Sequence, residues 1–494
     1  MSTTLVSPLT PKDAPPTGRT HWRLVPAFET NPALVGSGQT VPGKLVVLTV
    51  FAGMLHLLTE NWLAVSALIL LITFLPEYRR GLIACGTVYW LMFHNSWFDW
   101  ALVRGVAQRE GAAVNFAVVM PIGMAALIAF AAGFCWIAFR WRTASVMRRP
   151  MLLLGLCYTA LLLGACYAPV IPAGRVYLWT GVLLLGPYFW FIGYTLLDRN
   201  SKDRDPLALQ MGGWFPFWVG SAASFTPFPK GAAYLRRIEA RTPADFAVTQ
   251  IKGVKLLLWT LLLSLAIGVF RIITHVWLHI PPFPEVFRQS IARHPYPWFV
   301  AWASLIGDFL ETMLSVSIVG SGVVACCRMT GFRAFRNTYR PFRARTIAEF
   351  WNRYYYYFKE LLAEFFFYPA FARYFKGHRR VRIFFATLSA ATLGNLIYHF
   401  IRDIHYVAEL GLGKALVGFH VYGFHCLVLG IAIGISQLRG KKRPVNGNWL
   451  REQVVPAAGM LGFFCVLHIF NYDFGRTCPI REHFRFLLSL IGVS

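Results

Sequence analysis

Residues 115–139 read NFAVVMPIGMAALIAFAAGFCWIAF and contain no charged side chain. A helix needs about 20 apolar residues to cross the hydrocarbon core of a bilayer, so this stretch is long enough for one crossing. A helix is favoured there because lipid offers the backbone no hydrogen-bond partners. The stretch therefore predicts a transmembrane helix, and its recurrence along the chain decides the fold class.

Similar apolar stretches occur along the 494 residues, and they are 44–58, 61–76, 82–103, 150–168, 174–197, 254–275, 296–325, 383–401, 415–437 and 453–470. Only 14% of the residues are charged, whereas soluble domains have about 25%. We therefore predict an all-α polytopic membrane protein with about eleven transmembrane helices. The first two stretches are short, so they are expected to tilt or to pair as a hairpin.

The chain carries 48 Lys and Arg residues against 22 Asp and Glu residues. Basic residues concentrate in alternate connections between the apolar stretches, for example in 140–149, 328–353 and 439–451. This alternation predicts a cytoplasmic N-terminus, because cytoplasmic loops retain positive charge. The same placement suits the headgroups of membrane lipids. Nucleic acid is not expected as a partner, since no RNA- or DNA-binding module is visible.

Composition divides the chain into three regions. Residues 1–43 begin polar and Pro-rich, which predicts a flexible cytoplasmic N-terminal tail. Residues 44–208 are expected to form a group of N-terminal transmembrane helices. Residues 209–494 contain the remaining apolar stretches and, we expect, the catalytic core with its C-terminal helices.

Two segments of the last region do not resemble straight membrane spans. Residues 209–229 are crowded with Gly, Pro and aromatic residues, which disfavour a regular helix. Residues 346–371 have the spacing of an amphipathic helix, and Pro369 is expected to end that helix. Both segments are predicted to be re-entrant or interfacial elements.

The stretch 383–405, IFFATLSAATLGNLIYHFIRDIH, places ionisable residues inside an apolar segment, where they are costly. Asn395, His399 and Asp403 recur every four residues and so share one helix face. An imidazole there can take a proton from a hydroxyl while Asn395 or Asp403 fixes its tautomer. His399 is therefore a candidate base, and a histidine satisfied by a neighbouring helix is the alternative.

The sequence contains no Walker A loop, G-x-S-x-G elbow, H-E-x-x-H motif or dinucleotide fingerprint. Phosphoryl transfer and redox chemistry therefore lack sequence support. His275 and His279 are four residues apart but lack a third nearby ligand, so no metal site is predicted. Acyl transfer remains attractive, because one histidine base suffices when binding brings a hydroxyl and a thioester together.

The stretch 337–355, NTYRPFRARTIAEFWNRYY, resembles the signature of the membrane-bound O-acyltransferases. In the bacterial branch, which includes alginate O-acetylation and D-alanyl transfer, that signature reads approximately N-F-x-x-P-Y-x-A-x-S-I-x-E-F-W-R-R-W-H. The residues that match at those spacings are Pro341, Ala344, Ile347, Glu349, Phe350, Trp351 and Arg353.

Other stretches extend the resemblance to about 210–494. YPAFARYFKGHRR (368–380) is similar to the family's Y-I-P-L-G-G-x-R-K turn, and GNLIYH (394–399) to its G-x-W-H-G helix. The segment around Pro216 and Gly220 is similar to the family's F-P-x-x-x-x-G-P-I element. The tail 461–492 resembles the usual last span and terminal helix.

The resemblance places His399 at the family's catalytic histidine and Tyr355 at its second signature histidine. Tyr355 is a departure, because tyrosine can hydrogen-bond a carbonyl or hydroxyl but does not titrate usefully near pH 7. These two residues are the predicted catalytic pair. The residues expected to bind substrate are Asn395, Asp403, Trp351, Arg353, Glu349 and His425.

The expected activity is transfer of an acyl group, in the first instance acetyl, from an acyl-CoA or acyl-carrier-protein thioester. The basic stretches 328–345 and 379–382 suit the phosphates of such a donor. The expected acceptor is a hydroxyl of an exported polysaccharide, an envelope polymer or a lipid. The resemblance implies no bound cofactor, a bacterial cytoplasmic (inner) membrane location, and a periplasmic acyltransferase as a further partner.

Two other functions are compatible with the sequence. A transporter or flippase for an acyl or glycan substrate would explain the spans and the intramembrane charges, but not the 337–355 match. A catalytically inactive relative that serves as a scaffold would fit the replacement at Tyr355. Thioester turnover by the isolated protein separates both from the enzyme.

Overall fold

The computed structural model describes residues 24–93, 98–199, 205–212, 225–439, 450–471 and 478–492. Within these ranges the chain folds into helices and turns, and the one strand-like feature is an isolated bridge between Glu239 and Phe332. The prediction of an all-α chain is confirmed for this part of the molecule.

The helices before residue 297 are α1 (Pro32–Ser37), α2 (Val41–His56), α3 (Trp62–Phe74), α4 (Arg79–Phe93), α5 (Trp100–Arg109), α6 (Phe116–Arg140), α7 (Pro150–Tyr167), α8 (Pro172–Asp198), α9 (Leu207–Gly212), α10 (Ala232–Ile238), α11 (Pro243–Arg271) and α12 (Phe283–Ile291). A π-helical turn, Ile272–Trp277, extends α11.

The later helices are α13 (Trp298–Met329), α14 (Ile347–Tyr354), α15 (Tyr356–Leu362), α16 (Tyr368–Arg373), α17 (Arg379–Leu388), α18 (Asn395–Arg402), α19 (His405–Leu410), α20 (Leu412–Arg439), α21 (Val455–His468) and α22 (Ile480–Ser489). π-helical turns join α15 to α16 (Ala363–Phe367) and α17 to α18 (Ser389–Gly394), and another, Leu450–Val454, precedes α21.

In the described ranges, eight helical stretches are long and apolar enough to cross a membrane: Phe116–Arg140, Pro150–Tyr167, Pro172–Asp198, Pro243–Trp277, Trp298–Met329, Arg379–Arg402, Leu412–Arg439 and Leu450–His468. Each overlaps a predicted apolar stretch, although Pro243–Trp277 begins well before the predicted 254–275. The stretch 44–58 forms the shorter helix α2, and the predicted stretch 82–103 covers parts of two helices, α4 and α5. The helices Trp62–Phe74 and Pro76–Phe93 meet at a bend of 114°. That bent pair makes a ninth candidate, so the count of eleven stays a prediction.

The predicted flexible tail is folded from residue 24 onward. Val25 is buried, and Nζ of Lys255 on α11 lies 3.1 Å from the Glu29 carboxylate. Asn31 caps α1 by accepting the backbone N–H of Ala33. The predicted tail, 1–43, therefore extends too far along the chain. Its composition suggested flexibility, but these contacts hold the residues from 24 onward in place. Residues 1–23 lie outside the described part.

The segment 346–371 is not a single amphipathic helix. The α14 helix begins where Thr346 Oγ1 accepts the N–H of Glu349, and it ends at Tyr354 because Tyr355 leaves helical geometry (φ −137°, ψ 77°). Pro369 lies in the first turn of α16 and does not end a helix, so that prediction was wrong. The first turn tolerates proline, since its N–H groups have no helical acceptor. Of the segment 209–229, residues 213–224 lie outside the described part.

The C-terminal half of α8 is its most buried part, since residues 182–196 are all buried. The helices α5, α6, α7 and α18 pack against it. Of the later helices, α14, α17 and α18 contact α20, and α18 also contacts α8. This arrangement brings the 337–355 region and the His399 helix together.

Candidate functional site

His399 lies on α18, at the end of the candidate span Arg379–Arg402. Its side chain is 12% exposed, and three aromatic rings enclose it. The ring centroids of Tyr422, Tyr398 and Phe358 lie 4.4, 5.3 and 6.0 Å from the imidazole centroid. Packing therefore holds the imidazole in one orientation.

The Nδ1 atom of His399 is buried and has no hydrogen-bond partner in the described ranges. The nearest carboxylate oxygen is Oδ2 of Asp403, at 3.9 Å. That separation is too long for a hydrogen bond but short enough for a strong electrostatic attraction once the imidazole is protonated. A movement of about 1 Å would close the gap.

Asn395 and Asp403 share the face of His399, as predicted, but each is engaged elsewhere. Arg402 donates from Nε and Nη2 to the two Asp403 oxygens, at 2.6 and 2.8 Å. Oδ1 of Asn395 accepts a hydrogen bond from the Tyr422 hydroxyl at 3.1 Å. In this structure neither residue fixes the tautomer of His399 by a hydrogen bond.

The α20 helix brings a second histidine to the site. The imidazole of His425 stacks on Tyr422 with centroids 5.4 Å apart, and Tyr422 in turn contacts His399. Nδ1 of His425 lies 3.2 Å from the carbonyl oxygen of Leu467. Because a carbonyl only accepts, Nδ1 is the protonated nitrogen, and the neutral ring keeps Nε2 as its acceptor.

Tyr398 fixes the other side of the enclosure. Its hydroxyl shares a buried 2.8 Å hydrogen bond with Oγ1 of Thr226. Its ring stacks on Trp190 of α8 at 6.2 Å and contacts Phe358 at 4.6 Å. Thr226, which belongs to the family-like stretch 215–229, thus contacts the residue beside His399.

Phe358 connects His399 to the 337–355 region. Its ring lies 5.9 Å from that of Trp351 and 5.5 Å from that of Tyr355. The same ring lies 6.0 Å from His399. Tyr355 and His399, the predicted catalytic pair, therefore both contact the ring of Phe358. The spacing of Phe358 in an amphipathic segment indicated a packing residue, but nothing in the sequence indicated which histidine it would contact.

Glu349 and Arg353 are bound to each other. Arg353 donates to Oε1 of Glu349 from Nε at 3.1 Å and from Nη2 at 2.8 Å. Oε2 of Glu349 accepts the backbone N–H of Arg345 at 3.0 Å. These contacts stabilise the start of α14, and the substrate-binding role of the two residues stays a prediction.

The π-helical turn before α18 allows close packing behind the site. Thr392 donates a hydrogen bond to the carbonyl of Cys426 on α20, at 3.1 Å. At Gly394 a Cβ atom would fall 2.5 Å from the ring of Phe366, so glycine is required there. Such turns are frequent at functional sites.

The site thus combines a confined imidazole, an adjacent arginine–carboxylate pair and a second histidine behind Tyr422. An imidazole of this kind can accept a proton from a bound hydroxyl. No family model matches the sequence, and no curated protein matches it.

Proposed function

We propose that the protein is a membrane-bound O-acyltransferase in which His399 is the general base. The observation that carries the proposal is the confinement of His399 inside a helix long and apolar enough to cross a membrane. A buried ionisable side chain in such a helix is a functional candidate by default. The contact through Phe358 adds support, because it joins His399 to the region that resembles the acyltransferase signature.

In the proposed reaction, an acceptor hydroxyl and a thioester meet at the imidazole of His399. The hydroxyl oxygen attacks the carbonyl carbon while its proton moves to the unprotonated ring nitrogen. The new C–O bond forms, the C–S bond breaks, and the proton passes to the leaving thiolate. Asp403, 3.9 Å from Nδ1, would stabilise the imidazolium that exists between these transfers.

The connection between α13 and α14 supports a phosphate-bearing donor. It carries Arg333, Arg336, Arg340 and Arg343. Arg336 is half-buried and has no ion pair in the described ranges. A guanidinium without a carboxylate partner suits the phosphates of acyl-CoA or of an acyl-carrier protein. The proposed acceptor is a hydroxyl of an exported polysaccharide, an envelope polymer or a lipid, in the bacterial cytoplasmic membrane and with a periplasmic partner acyltransferase.

The test compares His399→Gln with wild type and with His483→Gln. His483 is a suitable control because it is buried and also has a ring nitrogen without a hydrogen-bond partner, but it lies against Phe287 and Phe470. The purified full-length proteins receive acetyl-CoA and an envelope extract. Release of free thiol and acetylation of the extract are measured together.

Loss of the base should lower acetyl transfer by a factor of about 10²–10⁴ in His399→Gln, with little change in His483→Gln. Equal transfer by wild type and His399→Gln would overturn the assignment. Movement of labelled substrate across a vesicle without thiol release would favour the transporter. Binding without turnover in wild type would favour the scaffold.

A further inference from the structure

The turn between α16 and α17 carries a high density of positive charge. Residues 373–382, which we call the basic turn, read RYFKGHRRVR. Five of these ten residues are Lys or Arg, and the sequence from 365 to 402 contains no Asp or Glu. Residues 373–381 are exposed. The turn therefore has a strong positive potential that its own segment does not neutralise.

The cations of this turn also lack partners from other elements. Throughout the described residues, Arg373, Lys376, Arg379 and Arg380 make no ion pair and no side-chain hydrogen bond. Arg382 is different, because its guanidinium lies over the ring of Phe371 at 3.8 Å. Four cations are thus free to bind an external anion.

Apolar side chains lie among these cations. Tyr374 is 52% exposed, Phe375 is 46% exposed and Val381 is 48% exposed. Phe375 has a left-handed backbone (φ 51°), which is uncommon for a phenylalanine. Exposed aromatic rings beside cations are typical of residues at the level of lipid headgroups.

The position of the turn fits that level. It includes the first four residues of the candidate span Arg379–Arg402. Gly430 of α20 packs against Thr392 of the span, and Gly434 packs against Phe384. Residue numbers rise along α20 as they fall along the span, so the two helices are antiparallel. Arg439, at the end of α20, therefore lies at the same end as the basic turn. At the opposite end of the span, Arg402 is neutralised by Asp403.

We propose that the basic turn is a binding surface for anionic phospholipid headgroups of the adjacent leaflet. The exposed cations would contact lipid phosphates, while Tyr374 and Phe375 would insert among the first methylene groups. A soluble donor such as acetyl-CoA offers the same anion but has no long acyl chains for these rings to enter. The proposal gives residues 379–382 to lipid instead of to the phosphates of an acyl donor, and it does not depend on the acyltransferase assignment.

The test uses full-length protein in nanodiscs of phosphatidylcholine with and without phosphatidylglycerol. Native mass spectrometry counts the phosphatidylglycerol molecules that stay bound after extraction. The variant Lys376→Gln/Arg379→Gln/Arg380→Gln removes three unpaired cations. The control Arg288→Gln/Arg293→Gln/Arg485→Gln removes three cations that each pair with a carboxylate.

The basic-turn variant should bind phosphatidylglycerol about a hundredfold more weakly, since each interfacial cation contributes about fivefold. The control should retain wild-type binding, and salt should weaken binding only in proteins with an intact turn. A second variant, Phe375→Asn, tolerates the left-handed backbone and should weaken lipid binding without a change in charge.

Two outcomes would overturn the proposal. Equal losses in the two triple variants would mean that net charge alone governs lipid retention. Displacement of bound phosphatidylglycerol by an equal concentration of inorganic phosphate or coenzyme A would mean that the surface is a soluble-phosphate site.

Discussion

At the scale of single residues, Asp403 lies between two groups that compete for its carboxylate. Arg402 donates two hydrogen bonds to it, and Nδ1 of His399 lies 3.9 Å from Oδ2. The Asp403 side chain is 8% exposed and that of Arg402 is 33% exposed. A nearly buried carboxylate therefore neutralises a guanidinium that is only partly in contact with water.

Replacing Asp403 with Asn should destabilise the protein by about 2 kcal/mol, because the Arg402 charge would lose its partner while still partly buried. The double variant Arg402→Gln/Asp403→Asn should recover much of this loss, since no unpaired charge remains. Denaturant unfolding of purified protein measures both effects. Equal stability of the single variant and wild type would show that water solvates the Arg402 charge well enough to replace its ion pair with Asp403.

Only part of this site is predictable from the sequence. The four-residue spacing of Asn395, His399 and Asp403 determines that they share a helix face, and the structure has them on one face. Spacing does not determine partners, however, and Tyr422 and Arg402 engage Asn395 and Asp403. Tyr422 comes from a different helix, so its place beside His399 depends on packing that no local pattern contains.

At the scale of elements, one salt-bridge cluster joins two segments of irregular backbone. Lys230 has a left-handed backbone (φ 57°), and its side chain is 5% exposed. Its Nζ lies 2.8 Å from Glu360 and 2.7 Å from Glu364, on α15 and the π-helical turn that follows. Burial lowers the pKa of Lys230, but the two carboxylates more than offset this and raise it above its ordinary value.

Replacing Lys230 with Met should leave the two half-buried carboxylates without their shared cation. Burial and the charge of Glu360 already raise the pKa of Glu364 despite the opposing effect of Lys230, so loss of the lysine should raise it further. A carboxyl with a raised pKa in the folded state binds protons more readily there than when unfolded. Acid therefore stabilises the folded variant.

The expected deficit of Lys230→Met is about 3 kcal/mol near neutral pH, and it should shrink as the pH falls through the raised pKa of Glu364. Thermal unfolding across that pH range measures it against Lys414→Met, which removes an exposed lysine without an ion pair. Parallel pH profiles for the two variants would contradict the prediction.

The same region shows which features of the elements are predictable from sequence. The long apolar stretches became the candidate spans because length and composition decide them. The break at Tyr355 was not predicted, since the amphipathic spacing continues through it and tertiary contacts override that spacing. Pro369 was misassigned because a proline that cannot continue one helix can still begin another.

At the scale of the whole molecule, the site draws on two of the three predicted regions, 44–208 and 209–494. Trp190, from the N-terminal group of helices, stacks on Tyr398 and contacts Phe366. The predicted boundary at residue 208 is based on a change in composition. Composition does not reveal that α8 packs against helices from both sides of that boundary, α5, α6 and α7 before it and α18 after it. The order and approximate limits of eight candidate spans were nonetheless predictable.

These spans also predict the two sides of the membrane. If all eight helices cross the membrane, the α6–α7 connection and the basic turn lie on the same side. Both are rich in Lys and Arg. The connections α11–α13 and α18–α20 lie on the other side. Because positive charge is retained in the cytoplasm, we expect the first pair to be cytoplasmic.

Single cysteines in a cysteine-free background test this arrangement at exposed, uncharged positions. A membrane-impermeant maleimide should label Ala292→Cys and Gly413→Cys in intact cells. It should label Ala144→Cys and Ala372→Cys only after permeabilisation. An odd number of candidate spans separates each of these two positions from Ala292 and Gly413, so they lie on the opposite side of the membrane. Labelling of Ala372→Cys from outside would mean that a span between residues 298 and 402 fails to cross. In that event the basic turn would face the outer leaflet, and α18 would enter the membrane from the opposite side.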